Sequence, residues 1–286
     1  MAPLATIRAH IRERGSTLLG RLAAFFALSL LLFVAIGGVS HHPRWQITTI
    51  QVFGATIVSP DDIRTFVTQS ISGDYYFAYA RDNSLIFPKQ EIEKALLVKF
   101  PRVQTSVASK VDSHTISIVV TERKPYALWC GEGFNAESYE LVNCWFTDNT
   151  GYIFDQSPIF SEGTYLEVYG PLESGTTDNP IAGKVSSARY VNADHLAQAL
   201  RADVADTLRI ILLPDGELEI VVRANASYPM LNKVTLKLKD EMVPTVIVKN
   251  LHAALKEEFP DGTPKTKKLK YIDLRFGNKI FFGFEN

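Results

Sequence analysis

Nineteen consecutive residues without a charge, Leu22 to Ser40, constrain this chain more than any other feature. A helix rising about 1.5 Å per residue would carry that run about 28 Å, the thickness of one bilayer hydrocarbon core. Arg8, Arg12, Arg14 and Arg21 precede the run with only Glu13 against them. Basic residues on that flank predict a cytoplasmic N-terminus and place everything after Ser40 outside the inner, or plasma, membrane. The expected organisation is a cytoplasmic tail over 1–21 and a transmembrane helix over 22–40. A cleaved signal peptide is the competing reading, since Gly38 and Ser40 are small enough for a peptidase; the long arginine-spaced tail and long apolar run favour an uncleaved anchor. A buried core helix would carry a broader polar stripe than Ser29 alone.

Composition narrows the partner class. With 30 basic and 31 acidic residues the net charge is −1, so no global positive field offsets phosphate repulsion and nucleic acid is not expected as a partner. The 46% apolar and 21% charged residues are those of a folded globular chain. Two cysteines are too few for a four-cysteine metal site. In an exported chain, Cys130 and Cys144 are candidates for a disulfide closing a loop of about 15 residues, worth roughly 3 kcal/mol in the chain-entropy model.

Past the anchor, residues 45–123 read as one β-α-α-β-β unit. Alternation over Trp45 to Phe53 predicts a strand. Ser59, Pro60 and Asp62 form a helix start, with Ile63, Phe66, Val67 and Ile71 on its apolar stripe. A second helix is expected from Pro88, carrying Ile92, Ala95, Leu96 and Phe100, followed by strands at Val103–Lys110 and Thr115–Glu122. Residues 124–286 read as a β-rich unit. It has a hairpin at Thr207–Val222, a strand at Val234–Leu238, and two packed helices, one after Asn192 and one through Leu251, Leu255 and Phe259.

The C-terminal stretch reads as a further hairpin, Leu269–Phe276 and Lys279–Phe284 around Gly277-Asn278. Ile272, Leu274 and Phe276 are expected on the core face, with Tyr271, Asp273 and Arg275 opposite and Asp273 and Arg275 as a surface ion pair. The chain ends soon after Phe284, so the last strand is expected to lack an outer neighbour and to expose unpaired backbone groups beside Ile280, Phe281, Phe282 and Phe284. Such an edge suits β-augmentation by a partner strand, although an ordinary interior hairpin has the same pattern. Lys265, Lys267, Lys268 and Lys270 read as a solvated loop or as an attractor for an acidic partner segment.

No motif for nucleophilic, phosphate-binding or zinc chemistry is present. Gly131-Glu-Gly-Phe-Asn-Ala136 fits a loose dinucleotide pattern but falls between the cysteines, outside any strand-to-helix turn. The six histidines lack metal-ligand spacing. The expectation is therefore no enzyme, no catalytic residue, no metal, no cofactor and no small-molecule substrate.

Several segments together carry a family resemblance. Ile50-Gln-Val-Phe-Gly-Ala-Thr-Ile-Val-Ser59-Pro-Asp-Asp-Ile63, Phe100-Pro-Arg-Val103 and Val120-Thr-Glu-Arg-Lys-Pro-Tyr-Ala-Leu-Trp129 resemble the POTRA domain of the cell-division protein family FtsQ/DivIB. Phe146-Thr-Asp-Asn-Thr-Gly-Tyr-Ile-Phe154 is similar to its hairpin, and Lys270-Tyr-Ile-Asp-Leu-Arg-Phe276 to its terminal strand motif. Residues 170–183 and 260–270 look like insertions relative to that pattern, and the cysteine pair is not general to it. The resemblance implies an α+β fold of anchor, POTRA domain and β-domain. It also implies a non-enzymatic bitopic scaffold at the division septum. A partner resembling FtsB, coiled with one resembling FtsL, would bind the terminal sheet and so reach the septal peptidoglycan synthase indirectly. Another membrane-anchored POTRA protein of envelope assembly or transport is the alternative.

Overall fold

The computed structural model describes residues 4–134, 143–260, 267–277 and 279–285. A single helix, α1 (Leu4–Ser40), contains the apolar run. Within it Gly20–Ser40 is long and apolar enough to cross a membrane, the only such helix among the described residues. The chain divides into two units, residues 1–122 and 123–286, and the fold is mixed α+β.

In the first unit, β1 (Thr49–Phe53) pairs in parallel with β5 (Thr115–Glu122), which pairs antiparallel with β4 (Val103–Lys110). The predicted strand start at Trp45 is corrected: Pro43–Trp45 forms a 3₁₀ turn. Pro43 fixes its own φ, and the His42 ring accepts the Arg44 N–H, which holds the turn through Trp45; Gln46 is extended and bridges Asn83 before the sheet ladder starts at Thr49. Helix α2 (Pro60–Ser70) starts where the capping pattern placed it, with the Ser59 hydroxyl accepting from the Asp62 N–H. Helix α3 (Lys89–Lys99) follows Pro88. Ile63, Val67, Ile92 and Leu96 from the helices meet Ile50, Val103, Ile116 and Ile118 from the sheet in one core. Between the helices lies a hairpin that periodicity did not reveal, β2 (Asp74–Tyr75) and β3 (Tyr79–Ala80).

The end of β5 is tied down by one carboxylate. Glu122 accepts from the backbone N–H groups of Thr56, Ile57 and Val58 and from the Thr56 hydroxyl, at 2.8 to 3.1 Å. Burial alone would push its carboxyl up, but those donors hold it below the ordinary value of 4.5. A folded-state pKa below the unfolded one stabilises above the unfolded value, and that contribution is lost as pH falls through the folded one. Glu122→Gln is expected to cost on the order of 1 kcal/mol at pH 7, as charge-assisted bonds weaken. Urea unfolding of both forms should show the gap closing as pH drops below about 4.

The second unit is built on a nine-stranded sheet ordered β16-β15-β14-β13-β12-β9-β6-β7-β8. Its strands are β6 (Ala127–Trp129), β7 (Trp145–Thr147), β8 (Ile153–Gln156), β9 (Leu166–Tyr169), β12 (Asp206–Leu212), β13 (Glu217–Arg223), β14 (Val234–Lys239), β15 (Leu269–Phe276) and β16 (Lys279–Phe284). Short strands β10 (Leu172–Ser174) and β11 (Lys184–Val185) pair separately, the first inside and the second just after the segment 170–183 expected as an insertion. Helices α4 (Ser187–Asp203) and α5 (Pro244–Glu258) cover one face. Helix α4 begins before Asn192, a correction: its first turns bury Tyr190 and Ala193, which a search for aliphatic spacing passes over. A smaller core on the opposite face gathers Leu128, Phe146, Tyr169 and Ile211 beside Cys130. Cys130 and Cys144 are joined by a disulfide, their Cα atoms 4.3 Å apart.

Candidate partner-binding edge

The two ends of the large sheet are treated differently. At β8, the N–H of Ile153 donates to Gly183 and its carbonyl accepts from Ala182, both at 2.9 Å, so that edge is covered by the chain itself. At the other end, no strand among the described residues pairs with the outer side of β16. Unpaired N–H and C=O groups along such a strand are a template for another chain.

Strand β16 has two different faces. Ile280, Phe282 and Phe284 are partly buried against the main core, and Phe282 meets Phe259 edge-on at 6.0 Å. Beside them α5 and β16 leave a shallow groove of about 480 Å³, floored by Ile280, Phe282, Ala253 and Ala254 and rimmed by Asn250 and Glu257. On the other face Phe281 is 51% exposed and packs edge-on against Phe276, which is 57% exposed, at 5.5 Å. The core placement expected for Phe276 is therefore corrected. Pairing slips by one residue between Asp273 and Phe276, and a one-residue slip turns a side chain to the other face.

Tyr271, Asp273 and Arg275 are set by cross-strand neighbours. Tyr271 stands opposite Gly283, and its ring covers that position so closely that an added Cβ would lie 2.2 Å from the ring. Glycine in β16 is what lets the tyrosine lie flat along the edge, with the Lys237 ammonium 5.0 Å from the ring centroid. Asp273 is buried, not superficial as expected, because it lies inside a polar cluster. Arg275 donates to Asp273 through Nε at 2.9 Å and Nη2 at 2.6 Å, and to Glu217 through Nη1 at 2.6 Å. Those bonds hold the Asp273 carboxyl below its usual range against burial, and raise the guanidinium further. The cluster locks β15 to β13 and so fixes where β16 lies.

All eight residues singled out from the sequence lie on this one hairpin. Lys237, Glu217 and Gly283 were not foreseen. The cue for the first two was alternation in β13 and β14, which places Glu217, Glu219 and Lys237 on the face of Tyr271 and Asp273. Asn278 of the turn, Lys265 of the basic cluster, and Asn135 and Ala136 of the loose glycine pattern lie outside the described residues.

A larger concavity of about 710 Å³ lies on the opposite side of the second unit, between Phe134, Phe160, Tyr165 and Arg209. Its charges are engaged: Arg209 pairs with Glu167 at 2.7 Å and Glu162 at 2.5 Å, and Lys233 with Glu162 at 2.7 Å. Among the described residues no three His, Cys, Asp or Glu side chains gather as metal ligands would. No protein-family model matches the chain, and no curated protein matches it in sequence.

Proposed function

We propose that this chain is a non-enzymatic, membrane-anchored cell-division scaffold of the FtsQ/DivIB type, whose sheet edge at β16 captures a strand from a small partner. The observation that carries the reading is the open outer side of β16, flanked by the exposed Phe276–Phe281 pair on one face and the α5 groove on the other. An added strand would bond its backbone to β16 and lay alternate side chains toward these two features. The order of elements agrees with the reading. An apolar helix comes first, then a unit whose β-α-α-β-β order is interrupted only by the short β2–β3 hairpin between the helices and in which β5 lies between β1 and β4, then a β-rich unit ending in the β15–β16 hairpin. On this reading the first folded unit is a POTRA domain, the N-terminus is cytoplasmic, and the remainder lies outside the inner membrane at the septum. The partner resembles FtsB joined to FtsL, and through them the septal peptidoglycan synthase is regulated.

The test is co-purification from native membranes of the tagged full chain beside a version ending at Phe276, after circular dichroism has shown that the shortened form folds. The full chain is expected to retain a small coiled-coil partner that the shortened one loses. Recovery of the same partners by both would overturn edge capture, and partners belonging to envelope transport would favour another POTRA protein.

A further inference from the structure

The first unit is joined to its anchor by more than the chain. Gly37 is buried, whereas the other helix residues from Gly20 to Val39 are exposed. What covers it is the β2–β3 hairpin: a Cβ at Gly37 would lie 2.7 Å from the Ala78 carbonyl oxygen. Phe33, Gly37 and Ser40 form one stripe of α1, at the spacing of a single helix face, and His41 follows directly after its end. The hairpin lies along that stripe. Ala80 donates its N–H to the Ser40 hydroxyl at 3.0 Å, and the Tyr79 ring meets Phe33 edge-on at 5.0 Å. At the stem, His41 faces the Gly37 carbonyl and the Asp74 carboxylate, each at 2.9 Å from a ring nitrogen. Contacts thus run backward along the helix, from His41 at the hairpin's base to Phe33 near its turn.

The turn itself is unusual. Ala78 donates to the Tyr75 carbonyl at 3.0 Å, and the two central residues, Tyr76 and Phe77, both have positive φ, 49° and 61°. Asn-Gly or Asp-Gly normally occupies such a turn, because bulky side chains are strained there. Here the two positions hold aromatic rings, 82% and 101% exposed. Strain at a site combined with apolar rings facing nothing points to a function for that tip.

The length of the helix supplies the partner. Gly20–Ser40 has 21 residues, about 31 Å, against a hydrocarbon core of about 30 Å. If the helix from Phe33 onward lay outside the bilayer, Gly20–Leu32 would cover only about 20 Å and could not cross. The Phe33–Ser40 stretch therefore belongs in the membrane, and whatever packs on it enters with it.

We infer that the β2–β3 hairpin is a second membrane contact, inserting Tyr76 and Phe77 into the leaflet at the C-terminal end of the span. The Tyr76 ring, apolar with a polar hydroxyl, suits the interface and the wholly apolar Phe77 ring the acyl chains just beneath it, while His41, Arg44, Asp74 and Arg81 lie at headgroup level. A helix alone would act as a swivel; a helix plus an inserted tip fixes the orientation of the first unit on the bilayer. This inference rests on the reading of Gly20–Ser40 as a membrane span.

The test uses the full chain in phospholipid nanodiscs. A single cysteine is introduced as Phe77→Cys, Tyr76→Cys, Leu30→Cys or Ile57→Cys and labelled with an environment-sensitive fluorophore; the native pair is disulfide-bonded and does not react. Leu30 lies within the span, and Ile57 follows β1 at its end away from Thr49. Lipids spin-labelled high on the acyl chain are expected to quench labels at 77, 76 and 30 several-fold more than the label at 57, with iodide in the water showing the reverse order. If 30 is quenched while 76 and 77 behave like 57, the hairpin insertion is overturned and the span stands. If 30 also escapes, the span reading fails and the insertion with it.

Discussion

Replacing Phe276 and Phe281 together by lysine is expected to weaken partner capture at least about 30-fold without moving the thermal midpoint of the chain. The two rings are 57% and 51% exposed and pack edge-on against each other, with the Arg275 guanidinium over Phe276, so their loss removes little buried area from the fold. At an interface the same pair has the attributes of a hot spot: aromatic, contiguous, and next to an unpaired strand. Hot-spot truncations cost about 2 kcal/mol or more, which is roughly a 30-fold change in Kd. Lysine adds a second effect, since a charged edge discourages strand addition. Titration of a purified partner segment against both forms would measure the change, with differential scanning calorimetry as the folding control. Equal affinity for both forms would remove this face from the binding reading and leave the α5 groove as the place to look.

The largest expected loss of stability comes from Trp129→Ala. Trp129 sits in β6 between β7 and β9, with no exposed surface. Its indole donates to the Gly170 carbonyl at 3.0 Å, and its ring lies 5.6 Å from that of Trp145. Truncation to alanine leaves a cavity in the middle of the large sheet and an unpaired buried carbonyl. Such changes cost about 3 to 5 kcal/mol, a fall of roughly 10 °C for a unit of this size. Near-UV circular dichroism should report the shift, and hydrogen exchange should place it in residues 123–286, leaving the 45–122 core protected as before. Trp129→Phe should recover part of the loss by refilling the space while still lacking the indole donor. A variant as stable as the parent would mean the sheet closes over the gap, contrary to close packing.

Legibility from the sequence varied with the kind of signal. Helix α2 could be read almost to the residue because its cap is chemical: Ser59, Pro60 and Asp62 each act within one turn of the backbone. Helix α4 was read too short, since Tyr190 and Ala193 are core residues only because β-strands lie beneath them. Strands β4 and β5, and β12 and β13, followed from the short polar turns that join them, at 111–114 and at Pro214-Asp215-Gly216, whereas β6 and β9, short and buried throughout, have no alternation to read. The hairpin at 74–80 was missed for a further reason. Two-residue strands carry no period, and the turn holds Tyr76 and Phe77 where turn chemistry leads one to look for glycine and asparagine.

At the candidate edge, the sequence placed all eight residues on one hairpin but could not assign their surroundings. Alternation put Phe276 with Ile272 and Leu274; a register slip between β15 and β16, invisible in either strand alone, moved it out. Asp273 and Arg275 were recognisable as a pair two residues apart. Their burial depended on Glu217, 58 positions away from Arg275, arriving from β13.

The sequence by itself determined the local physics: the uncharged run from Leu22 to Ser40, the helix caps and the strand periods. These depend on residues within a turn or two of each other, where backbone geometry and side-chain type suffice. Tertiary structure alone decided which sheet edge stays open, which aromatic rings face outward, that Cys130 meets Cys144, and that a short hairpin lies along α1 over Gly37. Each of those is set by long-range register and close packing, which arise only when segments far apart in the chain compete for the same space.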